Sequence, residues 1–184
     1  MTHPLTRWLQ AGGQKYFLAL VGLSIFMILL MNWIGTPLNT AAAPYGIVSF
    51  EIASTPQQAQ AMLASWDADA KLRAAFIQGL DFLFPLVYST SVALGCLLTA
   101  GVLAVRRWPL TGLGVPLAWG LWAAAAFDYV ENISLVVLLF SPPASPWPQI
   151  AALCAVLKFG LLFLGLVYCF LGLAVRLTPP VKTA

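Results

Sequence analysis

The sequence predicts an all-α integral membrane protein, a single domain over residues 1–184 built from four transmembrane helices. Hydrophobic residues make up 61% of the chain and charged residues only 8%, whereas soluble domains carry about a quarter charged residues. So little charge cannot coat a water-facing surface. The net charge of +3 is small and scattered, so no nucleic-acid partner is expected.

Four segments are long and apolar enough to cross the hydrocarbon core, which requires about 20 residues. They are residues 16–34, 76–104, 113–140 and 150–175. The first is expected to be a retained span, since its apolar run is long for a cleaved signal peptide. Turn-forming or charged residues separate the segments, namely Gly35-Thr36-Pro37, Arg106-Arg107-Trp108-Pro109, the proline-rich stretch 141–146 and Pro179-Pro180.

The distribution of basic residues predicts that both termini lie in the cytoplasm. Positive residues without acidic neighbours flank the same ends of the spans: Arg7, Lys15, Arg106, Arg107, Arg176 and Lys182. The opposite side carries mixed charges: Glu51, Asp67, Asp69, Lys71 and Arg73. By the positive-inside rule the chain is N-in and C-in. A bacterial inner membrane is the expected location.

The outer loop, residues 36–75, is expected to be helical. Thr55-Pro56 predicts an N-cap followed by proline in the first helical turn. The helix after it would present Ala59, Met62, Leu63 and Trp66 on one face, resting on the membrane or on the mouth of the bundle. Asp67 is the expected cap of a second helix that runs directly into the second span, with Asp69 and Arg73 forming an i,i+4 pair.

Four ionisable residues lie within the predicted spans: Asp81, Asp128, Glu131 and Lys158. A charge at a membrane-helix centre costs roughly 2.5–3.5 kcal/mol, so such residues normally face the bundle interior and find partners. Asp128, Glu131 and Asn132 share a face by their i, i+3, i+4 spacing. A second polar stripe on the second span contains Gln78, Asp81, Pro85, Tyr88 and Ser89. Pro85 should free a carbonyl near Asp81, and Tyr129 points about 100° away from Asp128.

These residues predict one pocket in which Lys158 meets the acids, with Asn132, Tyr88 and Gln78 as further polar groups. The cluster could simply fix the register of the helices. Three carboxylates against one ammonium favour a functional interpretation, because the excess charge requires a proton or a cation in the pocket. Cys96, Cys154 and Cys169 lie in apolar runs and are expected to pack. We expect no catalytic residue, metal site or cofactor, and His3 is the only histidine.

Two segments, Asp81-Phe82-Leu83-Phe84-Pro85 and Phe127-Asp128-Tyr129-Val130-Glu131-Asn132, resemble the EXPERA group. That group includes the emopamil-binding sterol isomerases and the sigma-2 receptor. The resemblance implies a four-helix membrane bundle whose acidic residues face a pocket for hydrophobic amines or sterols. The same segments are similar to those of uncharacterised bacterial membrane proteins. This sequence departs from the group by placing Lys158 among the acids and by lacking the membrane histidine of the isomerases.

The leading hypothesis is a protein that binds a small amphipathic or cationic ligand, or a membrane lipid, in an acidic pocket open to the outer side. Asp81 would be the gate acid, Asp128 and Glu131 the binding acids and Lys158 their counter-ion. The alternatives are a proton- or cation-coupled transporter, expected as a homodimer, an isomerase-like membrane enzyme that uses a buried carboxylate, and an accessory subunit of a membrane complex. Binding is favoured over catalysis because no nucleophile-and-base pair is evident.

Overall fold

The computed structural model describes residues 3–178, which form helices and connecting turns without a β-strand. Pro179, Pro180 and Lys182, which the sequence analysis used to end the last span and to orient the chain, lie outside the described residues. The helices of this part of the chain are α1 (Thr6–Gln10), α2 (Gly13–Ile34), α3 (Ile47–Glu51), α4 (Pro56–Ser65), α5 (Ala68–Asp81), α6 (Phe84–Val105), α7 (Gly114–Phe140) and α8 (Trp147–Leu177).

Among the described helices, four are long and apolar enough to cross a membrane, which confirms the predicted number of spans. They are α2, α6, α7 with the short 3-10 turn before it, and α8. The first begins at Gly13 rather than residue 16, and the last covers Trp147–Leu177 rather than 150–175. An all-helical chain with these four helices has the make-up of an integral membrane protein.

The second span begins later than predicted, because the helix before it is a separate element. We expected one continuous helix into the second span, and this prediction is wrong: α5 ends at Asp81 and α6 begins at Phe84. The break is explained by Pro85, which has no N–H to donate to the carbonyl of Asp81 four residues earlier. The second spanning helix is therefore Phe84–Val105 rather than residues 76–104.

Helix α7 provides the hydrogen bonds that this break removes. The side-chain Nδ2 of Asn132 donates to the carbonyl of Asp81 at 2.9 Å, in a buried position. The hydroxyl of Tyr129 donates to the carbonyl of Phe82 at 3.0 Å. Because a buried carbonyl without a donor is costly, these two side chains fix the end of α5, and with it Asp81, against α7.

Replacing Asn132 with leucine should therefore destabilise the protein. The change leaves the Asp81 carbonyl buried without its donor, at a cost of about 1–3 kcal/mol in the free energy of unfolding. Thermal or denaturant unfolding in detergent micelles measures it. The matched control is Asn32→Leu on α2, where an exposed asparagine donates only within its own helix. Equal stability of the two variants would contradict this role of Asn132.

The connecting segment, residues 35–67, joins α2 to α5 and contains α3 and α4. Both predicted caps are present: the Thr55 side chain accepts from the Gln58 N–H at 3.2 Å, and the Asp67 carboxylate accepts from the Ala70 N–H at 2.8 Å. The apolar face of α4 rests on the bundle, which is one of the two positions that the sequence predicts. The buried apolar cluster there contains Ala59, Leu63 and Trp66 from the connecting segment and Leu135, Leu138 and Ala151 from α7 and α8.

The first half of this segment folds back onto the bundle through a sharp turn at Gly46. This glycine has φ +56°, and a Cβ at this position would lie 2.7 Å from the Asn39 side chain. The short helix α3 follows and buries Phe50 against Trp66, with ring centroids 5.3 Å apart. Trp66 also donates its indole N–H to the Leu38 carbonyl at 2.9 Å. These contacts hold Glu51, the last residue of α3, inside the protein.

Helix α6 lies at the centre of the bundle, in contact with α2, α7 and α8. Helices α7 and α8 form the most extensive helix pair, whereas α2 packs mainly against α6. Cys96 of α6 and Cys169 of α8 have their Sγ atoms 3.9 Å apart as free thiols inside this packing. At the other end from the connecting segment, His3 is buried between Trp119 and Trp122.

Candidate functional site: an acidic cluster beside a cavity

Lys158 of α8 is the centre of a buried charge cluster. Its Nζ donates to Asp128 Oδ1 at 3.0 Å and to Glu131 Oε1 at 2.9 Å. The two acids lie one turn apart on α7, so a single ammonium on the facing helix reaches both. Less than a tenth of each of these side chains is exposed. The structure thus brings together Asp128, Glu131 and Lys158, which the sequence predicts to meet in one pocket.

Tyr88 of α6 completes the surroundings of Asp128. Its hydroxyl donates to Asp128 Oδ2 at 2.9 Å, so each oxygen of this carboxylate has a partner. Charge-assisted hydrogen bonds of this kind are stronger than neutral ones. Asp128 is therefore a fixed junction between α6, α7 and α8.

Glu51 is a third acid beside Lys158, and the sequence did not predict it there. Its Oε2 lies 3.7 Å from Lys158 Nζ, and the residue is 6% exposed. We had placed Glu51 among the charges outside the membrane. It reaches the cluster because α3 is folded back by the turn at Gly46. Burial raises the pKa of Glu51, the ammonium of Lys158 opposes this rise, and the carboxylate of Asp128 adds to it.

Asp81 ends α5, ahead of the spanning helix α6, and lies beside the cluster rather than in its ion pairs. It is 5% exposed, and no lysine or arginine among residues 3–178 lies within ion-pair distance of it. Burial raises the pKa of Asp81 to about 7, and the negative charges of Asp128 and Glu51 act in the same direction. Asp81 is therefore the acid of this group that lacks a cation.

A cavity of about 520 Å³ lies against this cluster, between α2, α6, α8 and the connecting segment. This volume is within the range of small-molecule sites, about 300–1,000 Å³. Its charged end is lined by Glu51, Asp81, Asp128 and Lys158, together with Tyr88. Its apolar walls include Val21, Ile25, Ile28, Val92, Phe159, Leu162 and Leu166.

The cavity is open along the gap between α2 and α8. Apolar side chains that line it from both helices remain partly exposed, including Ile25 at 52%, Ile28 at 44% and Phe159 at 42%. The connecting segment covers the charged end with Gly46, Ile47 and Glu51. The charged end of the cavity is thus covered by the connecting segment. The long walls are apolar and are partly exposed at the surface of the bundle.

Three predicted site residues, Gln78, Glu131 and Asn132, do not line the cavity. Glu131 takes part in the cluster through Lys158, and Asn132 supports the Asp81 carbonyl. Gln78 is 1% exposed, and neither polar atom of its side chain has a hydrogen-bond partner within residues 3–178. These residues lie behind the cavity wall, between α5, α7 and α8.

The charge balance determines the chemistry of the site. Four buried carboxyl groups face one ammonium, so full ionisation would leave a net charge of −3. Such an excess is unfavourable at low dielectric and is relieved by protonation or by a bound cation. The arrangement is suited to binding a positive group or holding protons.

The fold and the site together define an all-helical bundle with four helices long enough to cross a membrane and a cavity with a charged end. No family model, curated protein or solved structure matches this chain.

Proposed function

We propose that this protein binds a small amphipathic ligand, or a membrane lipid, whose cationic group pairs with Asp81. The observation that carries the proposal is that Asp81 lines the cavity, is buried and has no cation partner among residues 3–178. A ligand ammonium would supply that partner. The hydrophobic part of the ligand would lie along the apolar walls toward Leu162 and Leu166.

The remaining acids have different roles in this proposal. Asp128 already has a hydrogen-bond donor on each oxygen, and Glu131 is directed at Lys158 from behind the cavity wall. They would set the negative potential at the polar end of the cavity without direct ligand contact. Tyr88 would orient Asp128, and Lys158 would keep the pocket from holding a larger uncompensated charge. We therefore assign the direct contact to Asp81.

The test is the affinity of Asp81→Asn for a long-chain primary amine, measured on purified protein in nanodiscs. Loss of a charge-assisted hydrogen bond of about 1.5–3 kcal/mol should weaken binding at least about tenfold. The alcohol of the same chain length is the neutral comparison and should bind both proteins alike. Asp69→Asn is the matched control, because Asp69 is exposed and paired with Arg73. The proposal fails if the wild type binds amine no better than alcohol.

A proton- or cation-coupled carrier is the second candidate, favoured by the excess of carboxyl groups over Lys158. It would use the same cavity and would act as a homodimer. Uptake of the amine into proteoliposomes, driven by a pH gradient and lost in Glu131→Gln, would distinguish it from a binding protein. The enzyme and the accessory subunit remain hypotheses from the sequence that no contact in the cluster favours.

We further propose the orientation and location that the basic residues predict. Both ends of the chain would lie in the cytoplasm of a bacterial cell, with the protein in the inner membrane. The connecting segment would then be on the outer side. The mouth of the cavity would be the outer end of the gap between α2 and α8, where Ile28 and Phe159 are partly exposed.

A further inference from the structure

We propose that Glu51 and Glu131 hold one proton between them, as a hydrogen-bonded pair of one carboxyl and one carboxylate. This would be a proton-binding site at the contact between the connecting segment and α7. It is independent of whether an amine binds at Asp81.

One carboxylate oxygen of Glu131 is a buried acceptor that lacks a donor. Glu131 Oε1 accepts from Lys158, whereas Oε2 is buried and has no hydrogen-bond partner within the described part of the chain. The Glu51 carboxyl lies within hydrogen-bonding reach of Glu131. Two ionised carboxylates have no hydrogen to share, so this contact requires that one of the two carries a proton.

The charged groups around this pair come from several elements that pack there. Asp128 of α7 and Asp81 of α5 add negative charge, and Tyr88 of α6 is committed to Asp128. Within residues 3–178, Lys158 of α8 is the only lysine or arginine that forms ion pairs with these acids. Lys158 is closer to Asp128 and Glu131, at 3.0 and 2.9 Å, than to Glu51, at 3.7 Å. One ammonium therefore cannot balance the acids around it, and a proton held by the Glu51–Glu131 pair offsets part of the excess charge.

Burial also raises the pKa of Glu51, although Lys158 and the hydrogen bond with Glu131 oppose the rise. A carboxyl group whose pKa is raised in the folded state contributes stability that is fully present below its unfolded pKa. That contribution is lost as the pH rises through the folded value. The wild-type protein should therefore become less stable toward alkaline pH, in the range where Glu51 gives up its proton.

Infrared spectroscopy tests the site through the carbonyl band of a protonated carboxyl group. At a pH above the Asp81 value of about 7, this band should persist in the wild type and in Asp81→Asn. It should be lost in Glu51→Gln, whose amide can still donate to Glu131 and so preserve the fold. Glu131→Gln should lose the same band, because Glu51 can then pair with Lys158 as a carboxylate.

Thermal unfolding across the same pH range gives a second measurement. Glu51→Gln should remove the alkaline loss of stability that the wild type shows, and Asp69→Asn, at an exposed carboxylate, should leave it unchanged. A protonated-carboxyl band that survives in Glu51→Gln would overturn the proposal. An unchanged alkaline slope in that variant would overturn it as well.

Discussion

Replacing Lys158 with methionine should lower the free energy of unfolding by about 3–5 kcal/mol, the usual cost of removing one partner from a buried ion pair. The variant keeps most of the apolar stem but removes both hydrogen bonds from Asp128 and Glu131. Three buried carboxyl groups would then lie together without a positive charge. The measurement is unfolding by denaturant in detergent micelles.

The control for this prediction is Lys71→Met, the same substitution at an exposed position of α5. It should change stability by no more than about 0.5 kcal/mol, as surface substitutions usually do. A loss in Lys158→Met as small as that of the control would mean that the cluster contributes little to the fold.

Neutralising the acids tests whether the cluster serves only to fix the helices. Adding Asp128→Asn and Glu131→Gln to Lys158→Met neutralises two of these three acids, leaving Glu51, and should restore part of the lost stability. If the cluster had only a structural role, this triple variant would also retain the binding of a long-chain amine. Under the proposed function it should bind the amine more weakly, since the negative potential at Asp81 is reduced.

The sequence was sufficient for the number of spans and for three of the four charged residues in the cluster. The i, i+3 spacing of Asp128 and Glu131 placed both acids on one face of α7, and Lys158 was the only positive residue within the four predicted segments. Helical geometry therefore predicted their approach without knowledge of the loops. The caps at Thr55 and Asp67 were predictable for the same reason, because a cap depends on residues close by in the chain.

Glu51 could not be placed from the sequence, because its position depends on contacts between distant residues. It ends a helix of five residues, too short to show a periodic apolar face. Its burial results from the turn at Gly46 and from Phe50 packing on Trp66. An acidic residue in a loop is normally solvated, so the sequence favoured an exposed Glu51.

Pro85 illustrates a signal that was recognised but only partly interpreted. The sequence predicted a freed carbonyl near Asp81, and the structure pairs that carbonyl with Asn132. The helix break that separates α5 from α6 was not predicted, since proline is also tolerated within kinked membrane helices. The outcome depended on Tyr129 and Asn132, which stabilise the broken form from α7.

The affinity for a long-chain amine should fall about tenfold for each pH unit below the pKa of Asp81, which is about 7. The ammonium pairs with ionised Asp81, and burial together with Asp128 and Glu51 raises the pKa of this acid. Protonation therefore removes the binding partner as the pH falls. The amine itself stays positively charged throughout, because an alkylamine has a pKa near 10, as lysine does.

The same linkage requires that binding below pH 7 releases about one proton per ligand, which a titration in weakly buffered solution measures. Asp81→Asn should show weak binding without pH dependence, and the alcohol of the same chain length should bind the wild type equally at every pH. A flat pH profile for the amine would mean that Asp81 does not contact its charge. A profile that persists in Asp81→Asn would instead assign the titrating group to another carboxyl that lines the cavity, such as Glu51.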